Sequence, residues 1–193
     1  MNFKLILASN SPRRQQIMRE CGLRFDIRVK EVDEDFPADL PAREVARYLA
    51  EKKGKAYQQE IAADELVITA DTTVLIHEQV LNKPANEEEA RQMIRLLSGQ
   101  VHEVITGVCI SRQQELHSFD ERTKVNFRKL DEEEISYYVN HYRPLDKAGA
   151  YAIQEWIGMV GIERIEGSYF NVMGLPINRL YTYLKEIGVA RLG

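Results

Sequence analysis

Cysteine is scarce: Cys21 and Cys109 are the only two in 193 residues. Both lie in apolar patterns without CxxC spacing, which excludes a disulfide framework and a cysteine zinc site and points to a reduced compartment. Long apolar runs are missing too. Leu5 to Ala8 is far too short for a signal-peptide core, and no stretch approaches the ~18 apolar residues of a membrane span. A cytoplasmic protein with no membrane partner is therefore expected. Positive charge is in deficit, with 26 Lys plus Arg against 30 Asp plus Glu and a formal net charge of −4. No global basic field exists to hold a nucleic acid, so any phosphate recognition must come from a local cluster, which suits a small ligand. There is no internal repeat, low-complexity tract or linker. The 44% hydrophobic content is enough to bury a full core, so residues 1–193 read as one domain with room for two lobes.

The most informative stretch is FKLILASNSPRR, residues 3–14. Its apolar first half reads as a strand buried on both faces, broken by Asn10, Ser11 and Pro12. Ser11 suits an N-cap and Pro12 a first helical position, predicting a helix over 12–21 that Gly22 ends. Arg13 and Arg14 then fall in the first turn, where a helix carries partial positive charge and normally prefers Asp or Glu. An anion such as phosphate would reverse that penalty. The competing reading is that both arginines face solvent or pair with nearby carboxylates.

Further along, 25–32 alternates as a strand and runs into the acidic group Glu31, Asp33, Glu34 and Asp35, a solvated loop that could also lend a carboxylate to a divalent metal. A helix is predicted over 41–60, with Lys53 continuing its buried stripe four residues after Leu49, either as a rim residue or as a contact to a cleft. Residues 66–76 read as a strand interior, yet Asp71 sits at its centre beside Thr72 and Thr73. A carboxylate there is disfavoured by burial and needs a partner. It marks either a bulge or turn between two short strands, or a carboxylate that binds metal or activates water.

A hairpin signal follows at 77–79, then Lys83 in a loop and an Asn86-capped helix with Glu87 to Glu89 in its first turn. Residues 101–111 and 116–130 pattern as a paired ribbon turning at 112–115, with Gly107 marking a bulge or a close backbone approach. A helix is predicted over 132–142. Residues 144–156, PLDKAGAYAIQEW, mix small residues with Gln154, an amide that can both donate to and accept from a base edge. A hairpin of 160–165 with 169–173 around Glu166-Gly167-Ser168, and a last helix over 176–187, complete the reading.

Taken together and in this order, ILASNSPRR, TADTTV, NKP, LSGQVHEVITG and DKAGAYAIQ resemble the Maf family of nucleoside triphosphate pyrophosphatases over nearly the whole chain. Arg13, Thr72 and the DKAGAYAIQ segment are similar to the branch acting on dTTP and UTP. The resemblance implies an α/β, ITPase-like fold: an elongated, mixed, twisted sheet flanked by helices, with two lobes around a cleft. It also implies hydrolysis between the α and β phosphates with a divalent metal cation, Mg²⁺ or Mn²⁺, and a homodimer. Carried over by position, Asp71 matches the catalytic acidic residue. Ser9, Arg13, Arg14, Lys53 and Lys83 match phosphate-facing positions, Glu34 an acidic cleft position, and Arg13, Thr72 and Gln154 positions tied to substrate choice. Asn10 and Glu155 depart from the small residue and the glycine common at their positions.

The chemistry agrees with that expectation. Hydrolysing a triphosphate requires cations around the phosphates, a metal held by Glu34 and Asp71, and a base for the water, a role that falls to Asp71 directly or as a metal ligand. One rival is a pyrophosphatase for 7-methyl-GTP or non-standard purine nucleotides, which a triphosphate panel separates. Another is a non-enzymatic, nucleotide-binding regulator of septum formation, which would release no pyrophosphate. A third is a structural domain, which leaves the arginine pair and Asp71 unexplained.

Overall fold

A computed structural model describes residues 3–190. In chain order they form β1 (Lys4–Leu7), α1 (Pro12–Glu20), β2 (Phe25–Ile27), α2 (Val45–Lys55), β3 (Glu65–Ile76), β4 (Gln79–Leu81), α3 (Glu87–Leu97), β5 (Val101–Arg112), β6 (Glu115–Phe127), α4 (Glu132–Tyr142), α5 (Trp156–Gly161), β7 (Ile162–Glu166), α6 (Tyr169–Val172) and α7 (Ile177–Glu186). The strands make one seven-stranded mixed sheet in the order β2-β1-β3-β5-β6-β7, with β4 paired to β3, accompanied by helices as expected of the α/β class. By its contacts the chain divides into two compact units. One comprises the residues up to Asp71, Thr106–Glu121 and the residues from Gly174; the other comprises Thr72–Ile105 and Arg122–Met173.

In the first unit, Leu5, Ile6 and Leu7 are all buried, as a strand with parallel neighbours on both sides requires. β1 pairs in parallel with β2 and with β3. Burying each such side chain contributes about 1.5–3 kcal/mol. The strand expected over 25–32 stops at Ile27, whose partner Leu7 is the last residue of β1. Beyond it, Arg28 turns its guanidinium to Glu65 in a two-pronged pair, at 2.9 and 2.6 Å, that holds the Glu65 carboxyl below its usual range.

The helix expected over 41–60 is also shorter. A 3-10 turn at Ala42–Glu44 leads into α2, and three-residue turns after Lys55 carry Tyr57 inward, where it is 2% exposed and donates to Arg28 O. Gly107 proves to be a close approach, within an unbroken β5. A Cβ there would lie 2.3 Å from Ala46 O on α2. Gly107→Ala is expected to destabilise the protein by about 3 kcal/mol, seen as a lower urea midpoint at constant slope. An unmoved midpoint would mean that α2 does not pack this closely.

In the second unit, α3 buries Ala90, Met93, Ile94 and Leu97, and α4 buries Ile135, Tyr138 and Val139 in the same core as Val125 and Phe127. Asn86 caps α3 by accepting from Glu89 N at 2.9 Å, and Asp131 with Glu134 forms a reciprocal capping box on α4. β3 turns into β4 through His77 and Glu78, both left-handed, the geometry of a tight hairpin turn.

The hairpin expected from 160–165 and 169–173 is overturned. β7 pairs antiparallel with β6, and residues 169–172 form the one-turn helix α6. The cause is a cap that looks like a turn: Ser168 accepts from Asn171 N at 3.3 Å. The Asn171 amide in turn donates to Val104 O and Thr123 Oγ1 at 3.0 and 2.9 Å. Among the described residues, no helix is long and apolar enough to cross a membrane.

Candidate active site

The first unit holds six of the residues singled out in sequence, Ser9, Arg13, Arg14, Glu34, Lys53 and Asp71. Ala8 N donates to Ile68 O, the last rung of the β1–β3 pairing, after which the chain leaves the sheet for α1. Two residues on, the next β3 carbonyl on that edge would be left without a neighbour. Arg14 takes it: Nη1 donates to Ala70 O at 2.9 Å, and Nε donates to Gly174 O at 2.8 Å. Ser9, 8% exposed, accepts from Arg14 Nη1 at 3.4 Å and from Ser11 N at 3.2 Å. Ser11 caps α1 as expected, and the amide of Gln15 donates to Ser9 O at 3.2 Å, pinning the turn before the helix.

Arg14 therefore neither faces open solvent nor relies on a carboxylate partner alone. Burial lowers its pKa from the ordinary arginine value and neighbouring Arg13 lowers it further, while the charges of Asp71 and Glu34 act in the opposite sense. A guanidinium stays charged under such conditions, so the site keeps its cation. Arg13 is half-buried in the same helical turn. α1 has no acidic residue in its first turn, whereas α3 and α4 each carry three.

Asp71 follows Ala70 in a strand that is continuous from Glu65 to Ile76, so the bulge-or-turn reading does not hold. Its side chain is 14% exposed, and its Oδ1 receives Lys53 Nζ at 2.5 Å. The same ammonium donates to Glu34 Oε1 at 2.8 Å. Lys53 comes from α2, on the stripe that also buries Leu49, with 18% of its side chain exposed. Its neighbour Lys52 donates to Asp35 O at 2.9 Å and pairs with Asp33 at 3.5 Å. The acidic loop is exposed, yet two consecutive lysines fasten it to α2, which fixes where Glu34 stands.

A shared cation holds two carboxylates in one place, and hard oxygen donors of that kind suit Mg²⁺ or Mn²⁺, which take one or two protein carboxylates and complete their shell with water and phosphate. Among the described residues there is no cluster of three or more His, Cys, Asp or Glu that would form an all-protein cage.

Thr72, Lys83 and Gln154 belong to the second unit. Thr72 is half-buried on β3, while Lys83 and Gln154 are exposed. The Lys83 loop and the Gln154 segment are joined, since Gly149 N donates to Asn82 O at 3.2 Å. Tyr151 Oη meets His102 Nε2 at 2.7 Å, and burial pushes the His102 imidazole down to about 3, so this histidine is neutral at neutral pH. Sequence reading missed the groups that seat these side chains: the carbonyls of Ala70 and Gly174, and a Tyr138–Glu155–Lys147 network. Tyr138 was legible only as an apolar helix position, and a main-chain carbonyl carries no sequence signal.

The Maf-like protein family profile matches residues 4–187. A Phocaeicola vulgatus protein named dTTP/UTP pyrophosphatase is 49% identical over 186 residues, covering 96% of each chain. A Porphyromonas gingivalis protein of the same name is 47% identical over 189 residues, covering 96% of this chain and 95% of that one. The solved Staphylococcus aureus Ham1 protein, 14% identical, aligns with a TM-score of 0.53 over 95% of this chain and 99% of its own, a likeness of fold. With the family profile spanning nearly every residue and relatives this similar along their whole length, the chain belongs to the Maf family.

Proposed function

We propose that the protein hydrolyses dTTP and UTP between the α and β phosphates, releasing the nucleoside monophosphate and pyrophosphate, with Mg²⁺ or Mn²⁺ as cofactor. The observation that carries this reading is Lys53 holding Asp71 and Glu34 together, with Arg14 on the residue before Asp71. The choice of pyrimidine substrates follows the names of relatives that are 46–49% identical over 95–96% of this chain.

In this reading Ser9, Arg13, Arg14 and Lys53 neutralise and orient the polyphosphate, and Lys83 adds a further cation. Charge placed in advance where negative charge develops is the largest part of such catalysis. Asp71 accepts the proton of the attacking water, and a base within a positioned site contributes about 10²–10⁴ in rate. Glu34 and Asp71 would hold the divalent cation, which when bound supplies charge neutralisation on the phosphoryl oxygens. Lys53 holds both carboxylates in place. Thr72 and Gln154 choose the base, Gln154 through an amide that matches the mixed donor and acceptor edge of a pyrimidine.

A panel of dTTP, UTP, dCTP, dATP, GTP, dITP, XTP and 7-methyl-GTP, assayed for pyrophosphate with and without EDTA, tests substrate and metal together. Turnover of dTTP and UTP is expected to exceed that of the purines, and EDTA is expected to lower it at least about a hundredfold. Preference for a purine triphosphate would overturn the substrate assignment, and full activity in EDTA would overturn the cofactor.

A further inference from the structure

The segment that ends at Gln154 is held far more tightly than an exposed loop requires. Lys147, 7% exposed, places Nζ 2.6 Å from Asp146 Oδ1 and 3.4 Å from Glu155 Oε1. Tyr138, fully buried on α4, donates its hydroxyl to the Glu155 carboxylate and accepts from Ala152 N at 3.2 Å. One phenol thus grips the chain two residues before Gln154 and, through Glu155, one residue after it. Just before the first of these grips Ala150 is left-handed at φ +59°, a conformation that strains a non-glycine residue. Such strain persists only where the surroundings over-determine the backbone.

Nothing in packing alone calls for this arrangement. Burying a lysine and a phenol against a partly buried carboxylate costs desolvation that an apolar cluster of the same volume would avoid. Burial also raises the Tyr138 hydroxyl well above the ordinary tyrosine range, so it remains a proton donor at every working pH. Amid all this Gln154 is exposed, its own side chain outside the network.

We propose that Tyr138 and Glu155 are positioning residues that fix the main chain on both sides of Gln154, so that its side chain reaches the nucleotide base from one fixed place. This rests on the reading of Gln154 as the base contact and deepens it. A segment whose main chain must be ordered on binding loses part of its affinity to that ordering; one fixed by folding does not. The clamp therefore acts on the base and leaves the polyphosphate alone.

The test compares dTTP with inorganic tripolyphosphate, a base-free competitor, in Tyr138→Phe, Glu155→Gln and Gln154→Ala. Both clamp variants are expected to raise the KM for dTTP about tenfold, the effect of one lost hydrogen bond to a charged or buried group. They should change kcat less than about twofold and leave the tripolyphosphate inhibition constant unchanged. An unchanged KM for dTTP in both would overturn the proposal. So would parallel weakening of dTTP and tripolyphosphate, which is the mark of a structural role. If Tyr138→Phe does not fold, Glu155→Gln carries the same two outcomes, because it removes the carboxylate charge that the Tyr138 hydroxyl and Lys147 both meet and so loosens the grip after Gln154. Gln154→Ala separates the levels. Should it raise the KM where the clamp variants do not, the clamp alone is wrong; should it also leave the KM unmoved, the base contact itself is wrong.

Discussion

Asp71→Asn is expected to lower the kcat for dTTP hydrolysis by about 10²–10⁴ while leaving the protein folded. The asparagine amide has nearly the shape of the carboxylate, so it fits the same position on β3, and its oxygen still accepts from Lys53. Lys53 retains Glu34 at 2.8 Å as a charged partner, so no ammonium is stranded in the site. What the substitution removes is negative charge, and with it the ability to take a proton. Steady-state pyrophosphate release measures the loss, and a thermal midpoint within a few degrees of the parent shows that it is not unfolding. Repeating the assay across Mg²⁺ concentrations divides the two roles proposed for Asp71. A lost base lowers kcat at saturating metal, whereas a lost ligand raises the metal concentration needed for half activity. Near-full turnover under both conditions would remove Asp71 from the mechanism.

The parts of the fold that the chain announces are those decided by neighbours in sequence. Asn86 and Asp131 with their following glutamates place α3 and α4 almost to the residue, because a cap and an apolar stripe are local facts. β5 and β6 are legible for the same reason. The errors fall where a distant partner decides. β2 is truncated because β1 is only four residues long, which the alternation in 25–32 cannot reveal. α6 replaces a strand because Asn171 reaches Thr123 and Val104, 48 and 67 residues away.

The candidate site divides in the same way. Arg13 and Arg14 stand out because they break the dipole rule that α3 and α4 obey, and Asp71 because a strand interior disfavours it. Their company was not legible. Lys53 meets Asp71 across 18 positions, and Arg14 meets Ala70 and Gly174 across 56 and 160. The anomaly at the start of α1 is thus answered partly by main-chain oxygens, a solution that no pattern of side chains encodes.

Those oxygens make Arg14→Lys the most discriminating single change at the phosphate end of the site. The substitution keeps the charge and removes the planar fork, and one ammonium cannot reproduce guanidinium bonds from Nε to Gly174 O and from Nη1 to Ala70 O. At least one partly buried carbonyl then loses its donor, so stability is expected to fall by about 1–3 kcal/mol. Affinity should suffer separately, because the cation no longer projects from a fixed place beside Asp71. The inhibition constant of tripolyphosphate is expected to rise about tenfold and kcat/KM for dTTP to drop by a similar or larger factor. The two losses are independent readouts. Were the urea midpoint to fall while tripolyphosphate bound as before, Arg14 would be a structural brace between β3 and the chain at Gly174, and the phosphates would have to be met by Arg13 and Lys53. Were tripolyphosphate binding to weaken, the arginine that completes the β3 edge would be the same group that receives the substrate, and folding and recognition would share one guanidinium.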